Sequence, residues 1–227
     1  MESSRSGSGA SLGEIADGLN EKLTTVRNIL KTMEACDYIG RKGKLYIPGS
    51  KTGDLSRSAN LDRLKNVSRT LLENAARRTG ESFVLTTVFH GKREIVSRCQ
   101  GNNEVGVNIG VAEYKTVYSL VTTRIILAFS NEMERRQFID VNGLPGEEWP
   151  EAVGEKFEFG LAQLKSAGVA AERKESFCAY AVPIFYGDEN IMGAIGLFAP
   201  AFRVNEKREI ELLAALSEAA ENINKQF

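Results

Sequence analysis

The sequence predicts an α+β chain in two parts: a small helical N-terminal part and a larger domain of strands and helices. Three observations carry that prediction. Residues 11–47 hold two short amphipathic stripes followed by two β-prone runs around a glycine. The stretch from Lys22 to Arg57 has eight basic residues (Lys22, Arg27, Lys31, Arg41, Lys42, Lys44, Lys51, Arg57) against three acidic ones, a local +5 in a chain whose total is −1. From Glu81 onward, β-prone runs alternate with amphipathic segments, the texture of a sheet with helices against it.

The bulk numbers remove several classes. At 227 residues, 42% apolar and 26% charged, the chain suits a water-borne protein of one large or two modest domains. No run approaches the roughly 18 apolar residues that span a bilayer, so no membrane partner is expected. Residues 1–10, MESSRSGSGA, have no apolar core and read as a flexible start rather than a signal peptide. Cys36, Cys99 and Cys178 are far apart and odd in number, with no spacing that suggests a metal site. They read as reduced thiols of a cytoplasmic protein, a redox sensor being the alternative.

The first helix opens at Ser11, where Ser11-Leu-Gly-Glu14 is a capping-box pattern. Leu12, Ile15, Ala16 and Leu19 form its stripe, and Gly18 and Asn20 mark the turn. The second helix runs from about Leu23 to Cys36 on the stripe Val26, Ile29, Leu30 and Met33. Thr24, Arg27, Asn28 and Lys31 share its opposite face, with Lys22 and Thr25 beside them. Short hydroxyls, an amide and cations are the groups that reach phosphates and base edges; a solvated helix face is the alternative. Tyr38 to Ile47 reads as a hairpin turning at Lys42-Gly43. Its three cations, Arg41, Lys42 and Lys44, suit a wing on a nucleic-acid backbone. Helix, turn, helix and basic wing in this order make residues 11–50 a winged helix-turn-helix, a device for double-stranded DNA.

Residues 48–60 are rich in Gly, Ser and Lys and read as a linker, followed by a linker helix from Leu61 to Arg78. Its face is Leu61, Leu64, Val67, Leu71, Leu72 and Ala75. Residues 82–90 and 93–100 are strand candidates around Gly91-Lys92, and residues 104–111 are a third. Tyr118 to Phe129 is apolar enough for a buried helix, and Asn131 to Val141 is amphipathic with a Gly143-Leu-Pro145 stop. Glu151 to Ala167 is another helix. Residues 180–186 and 191–198 pair around 187–190, with Pro183 marking an edge or irregular position. Asn205 to Asn224 closes the chain as a helix on Ile210, Leu213, Ala214 and Ala220, with Leu216 beside them.

In order and spacing, these elements resemble the IclR family of bacterial transcription regulators, from about Leu12 to Ile223. The sequence SLGEIADGLNEKLTTVRNILKTMEACDYI follows that family's winged helix. TVYSLVTTRIILAF (116–129) stands where the family has a His-containing apolar helix. CAYAVPIF (178–185) and AIGLFAP (194–200) stand where it has Cys-Ile-Ala-x-Pro-Val and a Ser-x-Ser-Gly-Pro strand end. The resemblance implies a GAF-like effector-binding domain over 80–227, a small organic effector, and a homodimer or homotetramer. It implies no cofactor.

The departures carry information. The family's helix ahead of the capping box is missing, so either the native chain starts upstream of Met1 or the small domain is loose until bound. Asp37 replaces the usual glycine after the second helix. In the effector pocket the resemblance points to Tyr118, Ser119, Val121, Thr122, Glu172, Ala179, Gly196 and Phe198. Tyr118 replaces the family histidine, Gly196 and Phe198 replace two serines that hold an effector carboxylate in some members, and Ala179 stands at the cysteine position. About three residues are also missing between Gly168 and Ser176. The expected pocket is smaller and less polar, and the expected effector is aromatic or apolar rather than a small dicarboxylate or a glyoxylate-like acid.

Catalysis has no support in the sequence. His90 is the single histidine and sits beside a turn. No GxSxG elbow or GxxxxGKS loop occurs, and Gly106 and Gly110 make a weak pattern without lysine. Two readings remain: a ligand-responsive DNA-binding regulator, and a sensor or assembly module without competent DNA binding.

Overall fold

A computed structural model describes residues 9–107, 116–187 and 190–227, without the side chains of 50 and 52–59. The chain divides into two compact units, Met1–Arg63 and Leu64–Phe227.

In the first unit the elements are β1 (Ala10–Ser11), α1 (Leu12–Leu19), α2 (Leu23–Ala35), β2 (Ile39–Lys42) and β3 (Leu45–Pro48). The capping box forms: Ser11 Oγ accepts from Glu14 N at 3.3 Å, and Glu14 Oε2 accepts from Ser11 N at 2.8 Å. Asn20 ends α1 in the left-handed conformation, as its place in the turn suggests. The strands form an antiparallel sheet in the order β1-β3-β2. Ala10, expected in the flexible start, is paired with Tyr46. Residues 1–8 of that start lie outside the described residues. Ala16, Val26, Leu30 and Tyr46 make the small core, with Leu12, Ile15 and Ile39 packed against it. The second stripe is only half used: Ile29 remains 51% exposed and Leu19 on α1 62% exposed.

The helix α3 (Ser50–Thr79) starts eleven residues before the Leu61 that the sequence suggested. The Gly, Ser and Lys composition of 48–60 resembles a linker, but the run contains no proline after Pro48 to stop a helix. The division between the units falls within α3.

The second unit is built on a five-stranded antiparallel sheet in the order β5-β4-β8-β7-β6. Its strands are β4 (Ser82–Phe89), β5 (Lys92–Cys99), β6 (Ala170–Arg173), β7 (Phe177–Tyr186) and β8 (Asn190–Pro200). Its helices are α4 (Val121–Phe129), α5 (Glu132–Asn142), α6 (Phe157–Ala167) and α7 (Glu206–Asn224). Residues Ser82 to Val88 are all buried, so β4 is covered on both faces. Val84 and Val88 join the α4 side with Ile125, Leu127, Phe138 and Trp149. By the two-residue period of a strand, Phe83 and Leu85 face the other way. α7 packs on β7 and β8.

Four expectations change. Residues 104–107 form no strand, because the chain there bends past Gly101 and Gly106; 108–111 lie outside the described residues. The helix expected from Glu151 begins at Phe157, since Val153 is extended and Gly154 has φ +59. β6, with its short Ala-Ala-Glu-Arg sequence, went unforeseen. On α7 the buried stripe is Leu212, Ala215, Leu216, Ala219, Ala220 and Ile223; it includes the expected Ala220 and Leu216, while Ile210 is exposed. The longer stripe is the one that keeps the helical period to the end. Pro183 is an edge position in a local sense: β6 pairs only with residues 178–181 of β7, so the missing N–H leaves no ladder bond broken.

Asp37 adopts φ +62, a left-handed conformation that glycine takes without strain. Asp37→Gly is expected to raise the unfolding free energy of the first unit by about 0.5–1 kcal/mol, and Asp37→Val to lower it by about 1–2 kcal/mol. Urea unfolding followed by far-UV circular dichroism measures both.

Candidate functional site

Two groups of residues were singled out, one in each unit. In the first unit, Val26 and Leu30 turn one side of α2 into the core. The opposite side therefore faces solvent, and Lys22, Thr24, Thr25, Arg27, Asn28 and Lys31 are all exposed. The N-terminus of α2 has no side-chain cap and no acid in its first turn. Free amides and an uncompensated helix dipole favour an anion there. Lys42 and Lys44 are exposed at the hairpin turn beside Gly43, which has φ +66. Arg41 is held differently. Its Nη2 donates to the Tyr46 hydroxyl at 2.7 Å, its guanidinium lies 4.7 Å from the Tyr46 ring centre, and Nε is 3.2 Å from Glu34. Arg41 braces the hairpin on α2, while the two lysines make no such contact among the described residues.

In the second unit the eight pocket candidates separate. Tyr118 is buried in a 3₁₀ turn just before α4 and donates its hydroxyl to the Gly143 carbonyl at 2.5 Å. Its ring meets Phe138 edge-on at 5.6 Å. Burial, with nearby Glu148 adding to it, pushes its pKa up to about 12. Ser119 and Val121 follow it into the helix. Glu172, Ala179 and Phe198 are direct neighbours across β6, β7 and β8 and so share a face. Gly196 lies under Thr122: a Cβ there would stand 2.7 Å from Thr122 Cγ2 and 3.3 Å from Phe198 Cε2. Thr122 and Phe198 thus pack tightly on Gly196 with Ala179 beside them, and Tyr118 lies further along the same hydrophobic core. The Thr122 hydroxyl is buried without a hydrogen-bond partner among the described residues, as are those of Thr86 and Thr123.

Beside this cluster a cavity of about 320 Å³ opens between α4, α6, β6 and the 148–151 segment. Glu172 is the one sequence candidate on its wall; Arg124, Glu148, Trp149, Gln163 and Leu164 join it. Arg124 is only 7% exposed. Its Nε donates to the Tyr118 carbonyl and its Nη2 to the Glu148 carbonyl, both at 2.6 Å. Nη2 also lies 3.3 Å from Glu172, whose other oxygen meets Lys174 at 2.9 Å. Burial lowers the Arg124 pKa, and Glu172, Glu151 and Glu148 oppose that effect. The sequence did carry a signal for Arg124. A cation inside an apolar helix has to find partners, because an unpaired buried charge is costly.

The family model described as bacterial transcriptional regulator IclR C-terminal matches residues 58–225. The chain belongs to the IclR family. No curated protein sequence matches the chain. Solved IclR structures share its fold. The Thermotoga maritima IclR is 21% identical with a TM-score of 0.59, covering 98% of this chain and 92% of its own. The Alicyclobacillus acidocaldarius IclR transcriptional regulator is 21% identical with a TM-score of 0.60, covering 96% and 90%. An IclR homolog from Microbacterium hydrocarbonoxydans, complexed with 4-hydroxybenzoate, is 20% identical with a TM-score of 0.58, covering 98% and 92%.

The packing at Gly196 sets a measurable coupling within this IclR chain. Gly196→Ala is expected to cost about 1–3 kcal/mol through overpacking against Thr122. In a Thr122→Ala background, where the opposing methyl is gone, the same change should cost less by about 1 kcal/mol. Chemical denaturation of the four proteins of the cycle gives the coupling directly.

Proposed function

We propose that the chain is a ligand-responsive DNA-binding transcription regulator. Residues 11–50 act as a winged helix-turn-helix and residues 80–227 as a GAF-like effector domain. The observation that carries the reading is the outer face of α2. Six polar or basic residues stand exposed there, behind an uncapped helix N-terminus and beside Lys42 and Lys44. Arg27, Asn28 and Lys31 would meet base edges and phosphates of a double-stranded operator. Thr24, Thr25, Lys22 and the wing would hold the backbone. A homodimer or homotetramer would present two such helices to half-sites about one helical turn apart. Effector binding in the second unit would change their spacing, with α3 carrying the coupling. The 4-hydroxybenzoate complex of the Microbacterium relative supports an aromatic effector in preference to a small dicarboxylate.

One observation favours the second reading, a sensor or assembly module without competent DNA binding. Leu19, Leu23, Ile29 and Met33 are exposed on the small unit, so its apolar surface is incompletely covered. Fluorescence anisotropy with the DNA upstream of the gene separates the two. The regulator reading expects an affinity that falls steeply with salt. Arg27→Ala/Lys31→Ala should abolish specific binding and flatten the salt slope by about two phosphate equivalents. Absence of binding, also by a chain extended upstream, would establish the second reading.

A further inference from the structure

Of the three cations on the wing hairpin, Arg41 is held in a way that Lys42 and Lys44 are not. β2 and β3 pair Arg41 with Tyr46 and Lys42 with Leu45, which leaves only Gly43 and Lys44 in the turn. A loop that short fixes the register of the hairpin, but not its angle to α2. Cys36, Asp37 and Tyr38 alone connect α2 to β2. Arg41 makes the side-chain tie across that bend. Its Nε lies 3.2 Å from Glu34 in the last turn of α2, and its Nη2 donates to the Tyr46 hydroxyl at 2.7 Å. Tyr46 is 8% exposed and shares the small core with Val26 and Leu30 of α2, so it is a fixed anchor. An exposed ion pair alone is worth little. Here a planar guanidinium meets a carboxylate, a hydroxyl and a ring face at once, a combination that an ammonium cannot match. Glu34 also cancels the charge of Arg41, whereas Lys42 and Lys44 have no ion-pair partner among the described residues.

We infer that Arg41 is a positioning residue for DNA binding rather than a phosphate ligand: held by Glu34 and Tyr46, it sets Lys42 and Lys44 at a fixed reach from the exposed face of α2. The inference rests on the regulator reading for its consequence on DNA, while the tie itself belongs to the free protein. A cation already neutralised by an internal carboxylate displaces no counterion from DNA, so Arg41 adds nothing to the salt dependence of binding. What it adds is preorganisation, because a wing already held in place loses less freedom when it meets the backbone.

The test uses the full chain, the DNA upstream of the gene, and fluorescence anisotropy over a range of salt. Lys42→Ala, which removes a phosphate ligand, should lower the slope of log affinity against log salt by about 0.9. Glu34→Gln/Arg41→Gln keeps the net charge, and should weaken binding by about tenfold with the slope at the parent value. Tyr46→Phe keeps the ring and removes the hydroxyl, and should weaken binding by about threefold. It decides the matter if the double variant does not fold. A second readout needs no DNA. Amide exchange over residues 39–48, followed by mass spectrometry, should rise severalfold in both variants while residues 12–19 keep the parent rate. Unchanged affinity, a double-variant slope lowered by about 0.9, or unchanged exchange over 39–48 each overturns the inference. Raised exchange in a chain that binds no DNA, also when extended upstream, overturns the regulator reading and the DNA role of Arg41 with it, and leaves only the tie.

Discussion

A guanidinium buried inside an apolar helix is the constraint around which this half of the second unit is arranged. All residues of α4 from Val121 to Ala128 are buried, and Arg124 is among them. A charge in that position is tolerated only with partners, and removing them costs about 3–5 kcal/mol. The partners come from three separate places: the Tyr118 carbonyl before α4, the Glu148 carbonyl in the connection to α6, and Glu172 on β6. Those contacts join α4, the edge strand and an irregular segment that has few other reasons to hold its shape. Trp149 lies with its ring 5.6 Å from the guanidinium and meets Phe157 edge-on, so the same segment is fixed on its apolar side too. The cavity exists because this set of contacts spans a gap without filling it.

A second buried charge does comparable work at the other end of the sheet. Glu81 is 1% exposed and its two carboxylate oxygens accept from Nε and Nη2 of Arg203, each at 3.0 Å. Arg203 reaches on to the Val105 carbonyl at 2.6 Å, and Arg208 from the start of α7 donates to the Thr79 carbonyl at 2.5 Å. The last turn of α3, the first residue before β4, the 101–105 connection and the end of β8 are thereby drawn to one point. Gly80, at φ +74, makes the turn possible, and a side chain there would collide with Asn103. These contacts fasten the end of α3 to the start of β4 and the end of β8.

Much of this was legible in the sequence, and the failures have identifiable causes. The capping box at Ser11 and Glu14 and the turn at Asn20 were readable because each is decided by local chemistry, whereas the left-handed Asp37 was pointed to by the resemblance, which has a glycine there. The apolar run before Phe129 was readable because burial on all sides needs no periodic pattern. The start of α3 was not, since small polar residues permit a linker and a helix alike and tertiary context decides. Ile210 was misassigned because α7 carries two overlapping apolar stripes and only packing on β7 selects between them. Arg124 was not singled out in the sequence, and two of its three partners, Glu148 and Glu172, are more than twenty residues away. No local rule connects them.

The pocket follows from where bulk was added and where it was withheld. In the packed cluster, the Phe198 ring and the Thr122 methyl occupy the space above Gly196, and nothing larger than a hydrogen fits at that glycine. Open volume has instead collected around the far side of α4. Gly160 lies close enough to Ala152 that a Cβ would approach it to 2.9 Å, so α6 can draw near the 150–152 turn only because it has none. Small residues at 160, 170 and 171 thus bring the walls together without closing the interior.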